Sequence, residues 1–151
     1  MSLSFLIMYY GCFLCHFCHQ LDSDNRARLA DFGTCTQFVL TEEDCVGSPI
    51  YMAPETVAMN QYYCATDIYS FGILFWFICS SDVHLPVNYE ACENNHVLLR
   101  EVRRGLRPEK LAQFTDACWE LMCQCWQGDH QQRLVLGEVQ KRLLQIKDKQ
   151  S

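Results

Sequence analysis

Apolar and polar positions divide the chain into stretches of different texture. Residues 1–20 carry no charged side chain, and apolar positions run with few breaks from Leu3 to Cys18. Polar residues enter after Leu21: Leu21-Asp22-Ser23-Asp24-Asn25-Arg26 reads as a turn, and Ala27-Arg28-Leu29-Ala30 as a short strand. From Asp67 onward, Ile68, Phe71, Ile73, Leu74, Phe75, Trp76, Phe77 and Ile78 make a helix that is apolar nearly all round. Such a helix has no face to offer water and is expected at the centre of its domain. Three later stretches place apolar residues on one side only. They are residues 94–104 (Val97, Leu98, Val102), 114–126 (Cys118, Leu121, Met122, Trp126) and 134–146 (Val135, Val139, Leu143, Ile146). These predict surface helices around the central one, with Trp119 and Trp126 as packing anchors and residues 83–91, including Pro86, as a loop. The expected fold is therefore mostly α.

Composition narrows the function classes. The 151 residues suffice for one medium domain with a core, and 50% apolar with 20% charged residues is ordinary globular composition. A net charge of -6 supplies no broad surface for neutralising phosphates, so neither nucleic acid nor an anionic membrane is an expected partner. The one basic cluster, Arg100, Arg103, Arg104 and Arg107, reads as the solvated end of a helix. Eleven cysteines make an odd set without repeated spacing, and Cys64, Cys79, Cys118, Cys123 and Cys125 lie in helix-like apolar stretches. Reduced thiols there serve as small core side chains, which implies a reducing compartment and an expected cytoplasmic location.

The first twenty residues stand apart. Their apolar run is short of the ~20 residues a membrane span needs. It has neither a basic leading region nor an Ala-x-Ala cleavage signal. Cys12, Cys15 and Cys18, interleaved with His16 and His19, are soft ligands that zinc could take, but no matching Cys-x-x-Cys lies downstream. A strand, a helix or a frayed segment without metal is the expected reading.

The chemistry-bearing motifs begin with Asp31-Phe32-Gly33. Further on come Gly47-Ser48-Pro49-Ile50-Tyr51-Met52-Ala53-Pro54-Glu55, then Asp67-Ile68-Tyr69-Ser70-Phe71-Gly72, and finally Cys125-Trp126 with Asp129 and Arg133. A lone Asp-Phe-Gly occurs by chance as a strand-end turn; this ordered series resembles the second half of protein kinases. Asn25-Arg26-Ala27, Gly72-Ile73-Leu74-Phe75-Trp76-Phe77-Ile78-Cys79-Ser80, Arg103-Arg104-Gly105-Leu106-Arg107-Pro108-Glu109 and Cys118-Trp119-Glu120-Leu121-Met122 are most similar to the dual serine/threonine and tyrosine protein kinase family, relatives of the receptor-interacting kinases. The resemblance covers about Leu21 to Ile146. It implies the helical C-terminal lobe of a kinase-like fold (α+β overall), with the N-terminal lobe absent. The expected organisation is a Cys-rich segment over 1–20, a partial kinase domain over 21–147 and a polar tail over 148–151.

The resemblance also implies roles. Asp31 corresponds to the carboxylate that holds magnesium against the phosphates of ATP, the two cofactors of the family. Phe32 packs beneath the helix that aligns the active site, and Gly33 allows a sharp turn. Residues 34–52 correspond to the activation segment, with hydroxyls on Thr34, Thr36, Thr41, Ser48 and Tyr51. Thr41 is the candidate phosphosite, although Glu42, Glu43 and Asp44 beside it would oppose phosphate and partly stand in for it. Ser48 lies where serine/threonine kinases place a hydroxyl that contacts the catalytic base. Glu55 and Arg133 correspond to a structural ion pair, with Leu134 where a proline usually follows the arginine. Asp67 corresponds to the acceptor that holds the catalytic loop; read without the resemblance, it is the N-cap of the central helix.

Other kinase parts are missing from these 151 residues. There is no Gly-x-Gly-x-x-Gly, no strand lysine like that of Val-Ala-Ile-Lys and no His-Arg-Asp. The positions about 18 and about 13 residues before Asp31, where the base and its asparagine partner belong, hold Phe13 and Cys18. The expectation is a kinase-domain fragment without catalytic residues, inactive by itself, whose family phosphorylates Ser/Thr and also Tyr on proteins. A non-catalytic interaction module that binds a partner protein is the alternative, and an anchored fragment using residues 1–20 is a third.

Overall fold

The computed structural model describes residues 18–21, 23–24, 27–30, 48–59, 63–81 and 84–150. It is mostly helical. A short antiparallel hairpin pairs β1 (Cys18–Leu21) with β2 (Ala27–Ala30), in register from Cys18 opposite Ala30 to Leu21 opposite Ala27. The hairpin spans the boundary expected between residues 20 and 21. A 3-10 turn over Pro49–Tyr51 leads into α1 (Pro54–Met59), followed by α2 (Cys64–Ser80) and the single turn α3 (Val87–Glu90). The amphipathic helices α4 (Asn95–Arg103) and α5 (Asp116–Cys125) come next, then a 3-10 turn over His130–Gln132 and α6 (Leu136–Gln150).

Helix α2 is the axis of the core. Ile68, Tyr69, Phe71, Ile73, Phe75 and Trp76 are buried along it. Its polar residues are spent internally: the Ser70 hydroxyl reaches the carbonyls of Tyr51 at 2.9 Å and Thr66 at 3.3 Å, and the Ser80 hydroxyl that of Phe77 at 2.8 Å. The helix starts one turn earlier than expected, because Thr66 Oγ1 accepts the Tyr63 backbone N–H at 3.0 Å and starts the helix ahead of Asp67. Asp67 therefore sits in the first turn and is not the N-cap. Burial is also not complete all round: Ile78 is 52% exposed, since the described neighbours cover only part of the circumference.

The α2–α5 contact is the tightest. A Cβ on Gly72 would stand 2.8 Å from Cys125 Cβ, so only glycine allows this approach. Leu121, Met122 and Cys125 of α5 are buried in one core cluster with α2 and with Val139 of α6, and Trp76 meets Phe114 edge-on at 5.9 Å. Trp119 and Trp126 pack edge to face at 5.6 Å.

Local chemistry sets the helix ends. Asn94 Oδ1 accepts the Val97 N–H at 3.0 Å, and Thr115 Oγ1 accepts that of Cys118 at 3.2 Å. After α4, Gly105 adopts φ 108°, and the Leu106 and Gly105 N–H groups close on the carbonyls of Glu101 and Val102 at 2.9 and 3.1 Å. This is the left-handed helix stop that glycine permits. The stretch read as a loop over 83–91 contains α3, whose Tyr89 is buried, and α6 continues through the stretch read as a tail. Of the cysteines read as core thiols, Cys118 and Cys125 are buried, Cys79 and Cys123 half-buried, and Cys64 is exposed because it opens α2.

Candidate functional site

Glu55 lies in the first turn of α1, and Arg133 in the link between the last 3-10 turn and α6. They meet in a two-pronged ion pair: Nη1 donates to Oε1 and Nη2 to Oε2, each at 2.7 Å. The Arg133 side chain is 0% exposed. Two further donors go to the Ala65 carbonyl (Nη1, 2.8 Å) and the Gln127 carbonyl (Nε, 2.8 Å), while Thr66 Oγ1 donates to Glu55 Oε1 at 2.9 Å. Three chain segments, at Glu55, Ala65 and Gln127, thus converge on one guanidinium, and both charges of the pair are partnered. Burial pushes the Glu55 carboxyl up, but the hydrogen bonds and charge of Arg133 outweigh it, and the group lies below its ordinary value.

The segment just before α1 rests on this clamp. The Ser48 carbonyl accepts the Tyr51 N–H at 3.0 Å, and the Pro49 carbonyl that of Met52 at 3.2 Å. The Ser48 hydroxyl makes no capping bond to the turn, whose backbone is pinned instead by Ser70 on α2. Tyr51 is half-buried with its ring tilted against Phe77 at 6.0 Å, and burial raises its phenol. Residues 48–52 thus form a shelf set by α1 and α2 and held from below.

Arg107 was read as part of a solvated basic cluster, and the structure corrects this. Its Nε donates to the Trp126 carbonyl at 2.8 Å and its Nη1 to the Val102 carbonyl at 3.0 Å and the Leu106 carbonyl at 2.6 Å. Its guanidinium lies 5.0 Å from the centre of the buried Tyr69 ring, and that of Arg133 lies 5.1 Å from the same ring. The only sequence signal was the following Pro108, which ends any helix that would have carried Arg107 into solvent. Tyr69 and Tyr89 are buried together, and burial raises both phenols. Neither hydroxyl has a hydrogen-bond partner among the described residues.

Asp31, Phe32, Gly33, Thr34, Thr36 and Thr41 lie outside the described residues, as do Cys12, Cys15, His16 and the acidic residues 42–44. Among the described residues no three His, Cys, Asp or Glu side chains gather as a metal-holding group, and no helix is long and apolar enough to cross a membrane.

The family model described as protein tyrosine and serine/threonine kinase matches residues 19–143. This chain belongs to that family. The chain is 46% identical over 129 residues to the dual serine/threonine and tyrosine protein kinases of Gallus gallus and Bos taurus, and 44% identical to that of Pimephales promelas. In each case 85% of this chain is covered, and it spans 14% of the relative's length. The match begins within β1 and ends within α6, so it takes in both the shelf and the clamp of this kinase-family chain.

Proposed function

We propose that this chain is the activation-segment and helical-lobe portion of a kinase catalytic domain, and that its 151 residues alone do not transfer phosphate. In the complete domain the reaction is ATP- and magnesium-dependent phosphorylation of serine, threonine or tyrosine on a protein. Asp31 is the magnesium ligand there, Phe32 and Gly33 form the turn after it, and Thr34, Thr36 and Thr41 lie on the regulated loop. Ser48 and Tyr51 stand on the shelf that faces the protein substrate.

The observation that carries this reading is the buried Glu55–Arg133 pair with its Thr66 and Ser70 supports. It immobilises residues 48–55 against the core, which a surface that must position a protein hydroxyl requires. Inactivity of the chain alone follows from its residues. Its sequence has no Gly-x-Gly-x-x-Gly, no Val-Ala-Ile-Lys-like strand lysine and no His-Arg-Asp, and loss of a general base alone costs about 10²–10⁴ in rate.

Two measurements test the proposal. The pure chain, given magnesium, ATP and a protein acceptor, is expected to yield no phosphorylated product and no micromolar nucleotide affinity; transfer would overturn the claim of inactivity. Residues 19–143 placed into the Gallus gallus relative, in place of its matching stretch, are expected to support phosphorylation that Asp31→Asn abolishes. A folded chimera that binds magnesium-ATP but transfers nothing would sink the assignment to a working kinase lobe.

A further inference from the structure

Helices α2 and α5 run antiparallel: Gln113, just before α5, donates to the Ser80 carbonyl at the end of α2 at 3.3 Å, while Gly72 lies against Met122, Cys125 and Trp126. Cys79 stands two turns beyond Gly72, and Cys118 two turns before Cys125. The same crossing that brings Gly72 onto Cys125 therefore sets Cys79 opposite Cys118. The two thiols are neighbours in this crossing: burial first, and then the adjacent Cys118 thiol, push the Cys79 thiol up to about 12. Cys118 is buried in the core, whereas Cys79 is half-buried and reachable from solvent.

We propose that Cys79 and Cys118 form a redox modification site, a dithiol that a small-molecule disulfide closes into a covalent staple between α2 and α5. The thiolate of Cys79, its proton lost to water, attacks one sulfur of a glutathione-type disulfide and releases one glutathione thiolate. The Cys118 thiolate then attacks the Cys79 sulfur of the mixed disulfide and expels the second. Two protein thiols are oxidised to one disulfide, one small disulfide is reduced to two thiols, and the two protons end on those thiols. The high thiol value makes the first step slow at neutral pH, because only thiolate attacks. The contact makes the second step intramolecular, and this selects the partner. The staple fixes the interface at the end opposite the Gly72 contact, a device for trapping the helical lobe in its folded arrangement.

The test is oxidation of the whole chain with oxidised glutathione in mildly alkaline buffer, followed by proteolysis without reductant and mass spectrometry of the joined peptides. In the native protein, Cys79 joined to Cys118 is expected to be the dominant cross-link involving either residue. It should vanish with dithiothreitol and in both Cys79→Ala and Cys118→Ala, and persist in Cys92→Ala. The same reaction in concentrated urea is expected to spread Cys79 over several partners. A native pattern identical to the urea pattern, or Cys79 and Cys118 both left alkylatable while other cysteines oxidise, would overturn the proposal.

Discussion

Arg133 illustrates how much burial changes the worth of a charge. Lys110 and Asp116 approach as closely, at 2.7 Å, but in solvent, where water and salt screen the pair and flexible side chains must be held still. Asp116→Asn is therefore expected to leave the unfolding midpoint unchanged. The Arg133 guanidinium is fully buried, and its removal strands the Glu55 carboxylate in the interior. Arg133→Ala is expected to cost roughly 3–5 kcal/mol in urea unfolding. The same pair sets a pH dependence. Glu55 is lowered in the folded state from its ordinary 4.5, so its contribution is complete above that value and fades as pH falls through the folded one. Urea midpoints should decline below about pH 4.5 and do so less steeply in Glu55→Gln. Tyr89 gives the opposite case. Its buried hydroxyl has no hydrogen-bond partner among the described residues, so Tyr89→Phe removes a desolvated polar group without breaking a bond to any of them. We expect stability within ~0.5 kcal/mol of the parent or slightly above it, measured by thermal unfolding.

At the scale of elements, Gly72 shows tertiary contact overriding helix propensity. Alanine there would gain up to ~1 kcal/mol in an isolated helix. In the folded protein its Cβ would lie 2.8 Å from Cys125 Cβ, and overpacking costs about 1–3 kcal/mol. Gly72→Ala is therefore expected to lower the urea midpoint, and a raised midpoint would mean that α5 moves aside without cost. The amphipathic helices α4, α5 and α6 were legible from periodicity, and Leu98, Val102, Cys118, Leu121, Met122, Val139, Leu143 and Ile146 meet the core as expected; Val135 does not, because it lies just ahead of α6 and is 73% exposed. The start of α2 was less so. Asp67 had the chemistry of a cap, but Thr66 satisfies the end one turn earlier, and periodicity carries no mark of that choice. The single turn α3 escaped because four residues cannot show a helical period; it is held by Glu109, whose carboxylate accepts the N–H groups of Val87 at 2.8 Å and Asn88 at 3.3 Å.

For the molecule as a whole, one core cluster runs from Ala53, before α1, to Val139 in α6, with Trp76 and Trp126 inside it and Trp119 packed against it. A single contiguous core among the described residues predicts one cooperative transition. Tryptophan fluorescence and far-ultraviolet circular dichroism should therefore trace the same urea curve. An earlier loss of helix signal would mean that α6 melts by itself. The order of residues determined the helical periods, the end caps within three residues of what they cap, and the succession of motifs that marks a kinase-family chain. These are local in sequence, so neighbouring residues and backbone geometry suffice to specify them. The tertiary structure alone decided that Arg107 is buried beside Tyr69, that Glu55, Thr66 and Arg133 close one network, and that Cys79 faces Cys118. Those depend on contacts between segments far apart in the chain, where packing and desolvation, which no local pattern encodes, choose the partners.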